Sequence, residues 1–126
     1  MKILLADDEP ILLKTIGLKL QKEGYEVMST SDGREAVEKI DVYDPDIVVT
    51  DLMMPYISGL EIVSIVRKKT HKKIGVIMLT AMEQEKVVME AFELGVDDYV
   101  TKPFSLNELV IRVKKLAMQL ARNNPS

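Results

Sequence analysis

The chain has 126 residues, of which 47% are hydrophobic and 29% charged, and its 17 basic and 20 acidic side chains give a net charge of −3. This balance fits one globular domain with a continuous core and excludes a disordered chain. The lack of cysteine excludes disulfide frameworks, zinc–thiolate sites and thiol catalysis. No apolar run approaches the ~18 residues of a membrane span, and no signal peptide is recognisable at the start. We therefore expect a cytoplasmic protein without direct contact to nucleic acid or membrane.

Short apolar runs predict five β-strands, at residues 3–6, 25–28, 47–49, 74–79 and 99–100. Three of these runs have no polar interruption, which is typical of parallel strands that helices cover on both faces. The second run alternates apolar and polar residues, so it is expected at an edge of the sheet.

Stretches with helical spacing of apolar residues separate and follow the strands. Pro10 suits the first turn of the first helix, and Gly24 and Gly95 suit helix ends. Strand and helix alternate five times, which predicts the α/β class: a doubly wound parallel sheet flanked by five helices. We expect one domain over residues 1–121, with residues 122–126 as a tail or the start of a linker. The clearest helical stripe is the last: Leu106, Leu109, Val113, Leu116 and Leu120.

Polar residues that follow the strands are the candidates for function, because ligands of open α/β sheets bind at the carboxyl ends of the strands. Two carboxylates about 4 Å apart repel each other by about 4 kcal/mol at an effective dielectric near 20, so a cluster of them favours a cation. Oxygen ligands without histidine or cysteine select a hard ion, and Mg²⁺ fits better than Ca²⁺ where few protein ligands leave room for phosphate oxygens. The strand ends supply Asp7, Asp8, Glu9, Asp51, Thr80 and Lys102.

These positions lie in short motifs: Leu-Ala-Asp-Asp-Glu at 5–9, Val-Thr-Asp-Leu-Met-Met-Pro at 49–55 with Gly59 beyond it, Met-Leu-Thr-Ala at 78–81, Gly-Val-Asp-Asp-Tyr at 95–99 and Lys-Pro-Phe at 102–104. Together they resemble the receiver domain of bacterial two-component response regulators, most of all receivers attached to winged-helix DNA-binding domains. The resemblance covers essentially the whole chain. It implies the flavodoxin-like receiver fold with strand order 2-1-3-4-5.

The resemblance also implies the ligands of a Mg²⁺ ion and the residue that is phosphorylated. Asp51 would be the phospho-acceptor. Asp8, Asp51 and the backbone carbonyl of Met53 would bind Mg²⁺, with Asp7 acting through a water molecule.

Two further strand-end residues and one aromatic residue receive roles from the same resemblance. Thr80 and Lys102 would hold phosphoryl oxygens, and Pro103 would follow Lys102 through a cis peptide bond. Tyr99 would be the aromatic switch residue, turning into space that Thr80 vacates. The partner implied is a sensor histidine kinase, and the domain would promote its own phosphorylation and dephosphorylation without being an enzyme.

Residues from 95 to 109 resemble receivers that form dimers through the fourth helix, fifth strand and fifth helix. Asp98 and Arg112 fit the ion pair across such a dimer. Val88 stands where those regulators usually have a cation, which leaves Glu108 without its usual partner. A homodimer on phosphorylation and regulation of transcription through an output domain outside this chain are therefore expectations from the resemblance.

Other interpretations of the same residues remain open at this point. The run Asp7-Asp8-Glu9 would also suit an acidic cap on the first helix. A Mg²⁺-dependent phosphohydrolase would need a second acid where Met53 stands, and the acids after strand one would repel the phosphate of a flavin. A receiver-like scaffold that is never phosphorylated is the fourth alternative. His71 and the basic run at 68–73 are interpreted as solvated surface.

Overall fold

The computed structural model describes residues 1–81 and 85–123, within which five strands alternate with five helices. The predicted α/β alternation is therefore confirmed. The last helix continues to Asn123, so its final turn includes two residues that the sequence assigned to the tail. The elements are β1 (Lys2–Ala6), α1 (Pro10–Lys22), β2 (Glu26–Thr30), α2 (Gly33–Tyr43), β3 (Ile47–Asp51), α3 (Gly59–Arg67), β4 (Gly75–Thr80), α4 (Glu85–Leu94), β5 (Asp98–Thr101) and α5 (Leu106–Asn123).

The strands form one parallel sheet in the order β2-β1-β3-β4-β5, as predicted. The alternating second strand lies at an edge, and the uninterrupted strands β1, β3 and β4 lie in the middle. Ala6 pairs with Thr50, Asp51 with Leu79 and Thr80 with Thr101. Because all strands run in the same direction, their carboxyl ends meet at one edge.

The core has two layers, one on each face of the sheet. Alternate residues of β1 separate them: Ile3 and Leu5 pack with residues of α1 and α5, whereas Leu4 and Ala6 pack with residues of α2, α3 and α4. This is why the central strands have continuous apolar sequences, since both faces are covered. Each fully buried aliphatic side chain stabilises the folded state by about 1.5–3 kcal/mol. The two core layers thus hold the sheet, and with it the carboxyl edge, in place.

Helix ends lie where the sequence predicts them. Pro10 opens α1, and Gly24 and Gly95 follow the ends of α1 and α4 with φ of +99° and +105°. Asp44 ends α2 with φ of 51°. Left-handed residues of this kind end helices by allowing the chain to turn away from the helix axis.

The edge formed by the amino ends of the strands contains ion pairs that the sequence did not predict. Lys69 pairs with Asp41, and His71 Nε2 lies 2.7 Å from an oxygen of Asp44. The side chain of His71 is half exposed, as expected of a surface residue, but it is bonded to Asp44 and not simply solvated. The basic run at 68–73 therefore connects the end of α3 to the end of α2.

Arg67, the last residue of α3, connects three backbone segments at this edge. Its guanidinium donates to the carbonyl of Gly95 at 2.7 and 3.0 Å, to the carbonyl of Ile74, and to Asp97 Oδ2 at 2.9 Å. The same oxygen of Asp97 accepts from the backbone N–H of Val76 at 2.8 Å. The turn after α4 is thus tied to α3 and to the beginning of β4.

Among the helices of the described residues, none has the length and apolar character that crossing a membrane requires.

Candidate functional site

The predicted strand-end residues meet at the carboxyl edge of the sheet. Asp51 and Thr80 are the last residues of β3 and β4, Asp7 follows β1, and Lys102 follows β5. Asp7, Asp51 and Thr80 are buried, with 2%, 6% and 2% of their surface exposed. The strand order brings them together, since β1 and β4 both pair with β3.

Three carboxylates form the acidic part of the site. Asp7, Asp8 and Asp51 each offer one oxygen, and these oxygens all lie within 4.8 Å of one another. Asp8 is exposed, whereas Asp7 and Asp51 are buried. A set of hard oxygen donors with one solvent-accessible member fits Mg²⁺, which keeps several water ligands when proteins bind it.

Lys102 is the cation that the structure itself places against these acids. Its Nζ lies 2.9 Å from Asp7, 3.0 Å from Asp51 and 2.7 Å from Glu9. Burial by itself would lower the pKa of Lys102, but the hydrogen bonds to Glu9, Asp7 and Asp51 outweigh it, and the pKa lies well above the usual value. Lys102 therefore stays charged in the folded protein.

Glu9, one of the strand-end acids in the sequence, is a site residue for which the resemblance implied no role. It is the N-cap residue of α1, but within the described residues its side chain makes no cap hydrogen bond to that helix. Its carboxylate bonds to Lys102 instead, and its N–H donates to Asp7 at 2.9 Å. The alternative of a simple acidic helix cap is therefore wrong for Glu9. Its position directly after Asp7 and Asp8 was the available signal.

Asp51 is a buried carboxylate with a raised pKa. Burial is the largest cause, and it exceeds the lowering by the hydrogen bond and charge of Lys102. The N–H of Met53 also donates to Asp51, at 3.2 Å. A carboxylate that has lost this much solvation gains more from a bound cation than a surface aspartate would.

Residues 53–58, which form most of the loop between β3 and α3, contain a classic γ-turn. The N–H of Ile57 donates to the carbonyl of Pro55 at 2.9 Å, and Tyr56 between them has φ of 73°. The loop then returns to the sheet at Gly59, where a Cβ would lie 2.4 Å from the carbonyl oxygen of Asp51. Glycine is therefore required for α3 to begin so close to the phospho-acceptor candidate.

Thr80 and Tyr99 lie on neighbouring strands, and Tyr99 faces α4. Tyr99 is half-buried and packs with the core layer that includes α4, and its ring centroid lies 6.4 Å from that of Phe92 at an interplanar angle of 40°. Met89 and Phe92 are 53% and 45% exposed. The Lys102–Pro103 peptide bond is cis, in agreement with the resemblance. Met82 lies outside the described residues.

The residues expected to pair across a dimer pair within the chain. Arg112 Nη1 donates to both oxygens of Asp98, at 2.8 and 2.9 Å, and Nη2 lies 3.2 Å from Glu108. Glu108 therefore has a partner, contrary to the expectation that Val88 leaves it without one. The ion pair of Arg112 with Asp98 therefore forms within a single chain and does not require a second copy.

A doubly wound α/β sheet in the order 2-1-3-4-5, with a lysine and three carboxylates at its carboxyl edge, is the architecture of a receiver domain. The chain matches the response regulator receiver domain model over residues 3–114, and it belongs to that family.

Solved structures agree with this assignment. A receiver domain of a Francisella response regulator is 37% identical with a TM-score of 0.85, covering 94% of this chain and 97% of that one. The receiver domain of a signal transduction histidine kinase from Syntrophus aciditrophicus is 28% identical, with a TM-score of 0.87 and coverage of 99% and 96%. A DNA-binding response regulator of the LuxR family from Staphylococcus aureus is 32% identical, with a TM-score of 0.84 and coverage of 91% and 97%. The chain is thus a receiver domain of two-component signalling, and receivers similar to it occur with more than one kind of attached domain.

Proposed function

We propose that Asp51 accepts a phosphoryl group from the phosphohistidine of a sensor histidine kinase. A carboxylate oxygen of Asp51 forms a bond to phosphorus, the P–N bond breaks, and the imidazole leaves with the electron pair and takes a proton from solvent. The observation that supports this most is the contact of Lys102 Nζ with Asp51 at 3.0 Å, because a fixed cation there offsets the charge of an incoming phosphoryl group.

Asp8, Asp51 and the carbonyl of Met53 would hold Mg²⁺, and Asp7 would act through a water molecule. When bound, Mg²⁺ neutralises charge on the carboxylate and phosphoryl oxygens. The acids fit this purpose, since the three carboxylates lie within 4.8 Å of one another and, among the described residues, only one positive charge, that of Lys102, contacts them. The repulsion that remains favours a second cation.

Phosphorylation would act on the surface of α4, β5 and α5. The Thr80 hydroxyl would donate to a phosphoryl oxygen, and its inward movement would open space for Tyr99 beside Phe92. Met89 and Phe92 would become part of a surface for a partner or a second copy of the chain. A homodimer there would exchange the Arg112–Asp98 pair within one chain for a pair between chains.

The receiver would itself be a regulated binding module and not an enzyme, although it promotes its own phosphorylation and dephosphorylation. We place it in the cytoplasm with its kinase, and we propose that it regulates transcription through an output domain outside this chain. The Staphylococcus aureus neighbour, a DNA-binding response regulator, supports that output.

Incubation with acetyl phosphate and Mg²⁺, followed by intact-mass spectrometry, tests the proposal. We expect one phosphoryl adduct per chain, together with amide chemical-shift changes in α4, β5 and α5. Continuous release of phosphate with no stable adduct would indicate a phosphohydrolase instead. A protein that forms no adduct would be a scaffold, and the proposal would be wrong.

We expect Asp8→Ala to lower Mg²⁺ affinity at least tenfold, because Asp8 is the exposed carboxylate of the three and is available to bind the ion directly. Isothermal titration calorimetry measures the change. Asp41→Ala, an exposed aspartate at the opposite edge, is the control and should bind as wild type does. Unchanged affinity in Asp8→Ala would refute the ligand role.

The phosphorylated state should be long-lived, because Met53 and Met82 stand where faster receivers often have amide or carboxylate groups that orient water. Met53 lines the site and is 59% exposed, so its thioether shields the phosphoryl group without holding a water strongly. We expect Met53→Asn with Met82→Glu to shorten the lifetime ~10-fold, about 1.4 kcal/mol of barrier. Mass spectrometry of the decay in Mg²⁺ buffer measures it, and complete wild-type decay within seconds would contradict the idea.

A further inference from the structure

The γ-turn in the 53–58 loop is held in an unfavourable backbone conformation. Its central residue, Tyr56, has φ of 73°, a region that bulky L-residues rarely adopt. A classic γ-turn is strained in its own right. Such a conformation persists only where contacts from outside the turn determine it.

The contacts that determine it come from the beginning of α2. The guanidinium of Arg34 lies over the Tyr56 ring, 4.1 Å from the centroid. The N–H of Gly33 donates to the carbonyl of Pro55 at 3.3 Å, and a Cβ at Gly33 would lie 2.0 Å from the carbonyl oxygen of Ile57. Two adjacent residues of α2 thus contact three consecutive residues of the turn.

The beginning of α2 is held by its own contacts, so it can hold the 53–58 loop in place. Asp32 caps the helix by accepting from the N–H of Glu35 at 2.8 Å. Gly33 is buried, which leaves the chain little freedom to move away from the turn. The contact is close because residue 33 has no side chain.

We infer that Arg34 and Tyr56 are positioning residues for the phosphorylation site: their stacking fixes the 53–58 loop and thereby the backbone carbonyl of Met53. Met53 lies between the turn and Asp51, to which its own N–H is bonded at 3.2 Å. A loop that moves would let that carbonyl leave the position in which it contributes to Mg²⁺ binding. This inference rests on the proposed function, since it assigns Met53 to the ion.

The strain at Tyr56 separates a positioning role from a merely structural one. Asparagine tolerates positive φ far better than tyrosine, so Tyr56→Asn relieves strain while it removes the stacked ring. A positioning role therefore predicts weaker Mg²⁺ binding with a melting temperature that is equal or higher. A structural role predicts that both fall together.

The experiment combines Mg²⁺ titration by calorimetry, thermal unfolding and amide hydrogen exchange of residues 53–58 without metal. We expect Arg34→Met and Tyr56→Asn each to weaken Mg²⁺ binding about two- to fivefold, the scale of an exposed cation–π contact, and to speed exchange in the loop. The double variant should be no worse than either single one, because both remove the same contact. Tyr56→Phe keeps the ring, and Arg122→Met removes an exposed arginine at the end of α5, so both should behave as wild type.

The outcomes separate this inference from the proposed function. If the wild type binds no Mg²⁺, the proposed function and the inference are both wrong. If the wild type binds Mg²⁺ while Arg34→Met and Tyr56→Asn bind it equally well, the inference alone is wrong. A lower melting temperature in Tyr56→Asn in parallel with weaker binding would also overturn it.

Discussion

Asp51→Asn protein incubated with acetyl phosphate and Mg²⁺ is expected to show no phosphoryl adduct by intact-mass spectrometry. The amide lacks the anionic oxygen that attacks phosphorus. Within residues 1–81 and 85–123, no other carboxylate combines burial at a strand end with contact to Lys102 at 3.0 Å and to the N–H of Met53. Asp41→Asn, at the opposite edge, is the matched control and should label fully. Labelling of Asp51→Asn at wild-type yield would place the phospho-acceptor elsewhere.

The stability of Asp51→Asn shows whether lost labelling reflects chemistry or unfolding. Burial raises the pKa of Asp51, so this group favours the folded state at low pH and loses that contribution as pH rises through its folded-state pKa. At pH 7 without metal the ionised Asp51 therefore destabilises the protein. We expect the variant to be at least as stable as wild type at pH 7, with the gain disappearing on acidification.

The second large effect is expected at Lys102. Replacing it with methionine leaves Asp7 and Asp51 buried without their counter-ion, and we expect a loss of about 3 kcal/mol in the free energy of unfolding at pH 7 in EDTA. Urea unfolding measures it. Lys114→Met removes an ion pair with Glu23 in which the lysine is 53% exposed, and its effect should be far smaller because solvent screens this pair.

The pH dependence of the Lys102→Met effect follows from the pKa shifts. The pKa of Lys102 is raised in the folded protein, so the stability that Lys102 contributes is fully present below the ordinary pKa of lysine. It is lost only as pH rises through the higher folded-state pKa. A measurement at pH 7 therefore includes all of it. Acidification that protonates Asp51 should narrow the difference from wild type, and Mg²⁺ should restore part of the stability by binding the folded state. Equal losses in Lys102→Met and Lys114→Met would show that the site acids need no cation.

The fold and the composition of the site could be predicted from the sequence because both depend on local patterns. Uninterrupted apolar runs identify central strands, and the residue after each run is placed at the carboxyl edge by chain direction alone. Chain direction places Asp7, Asp51, Thr80 and Lys102 at that edge. The strand order 2-1-3-4-5, which the resemblance implied, brings them together.

Contacts between side chains from distant segments could not be predicted in this way. Arg67 lies 28 residues from Gly95 in sequence, and no spacing rule connects them. The sequence left a helix cap open as an alternative for Glu9, but the proximity of Lys102 decides where its carboxylate lies. The left-handed φ of Tyr56 is contrary to the preference of its residue type, and only the packing of α2 against the turn explains it.

The Arg67 contacts hold the carboxyl end of α4 through the carbonyl of Gly95. The ten-residue helix is about 15 Å long, and its last turn is bonded through Gly95 to α3 while its other end follows the strand of Thr80. A tilt of about 10° around the fastened end displaces the far end by about 2.6 Å, given that length, and the fastened end hardly at all. Such a tilt would make the part of α4 nearest the proposed phosphorylation site the most responsive, so partners that bind its first turns would sense phosphorylation more strongly than partners that bind near Gly95.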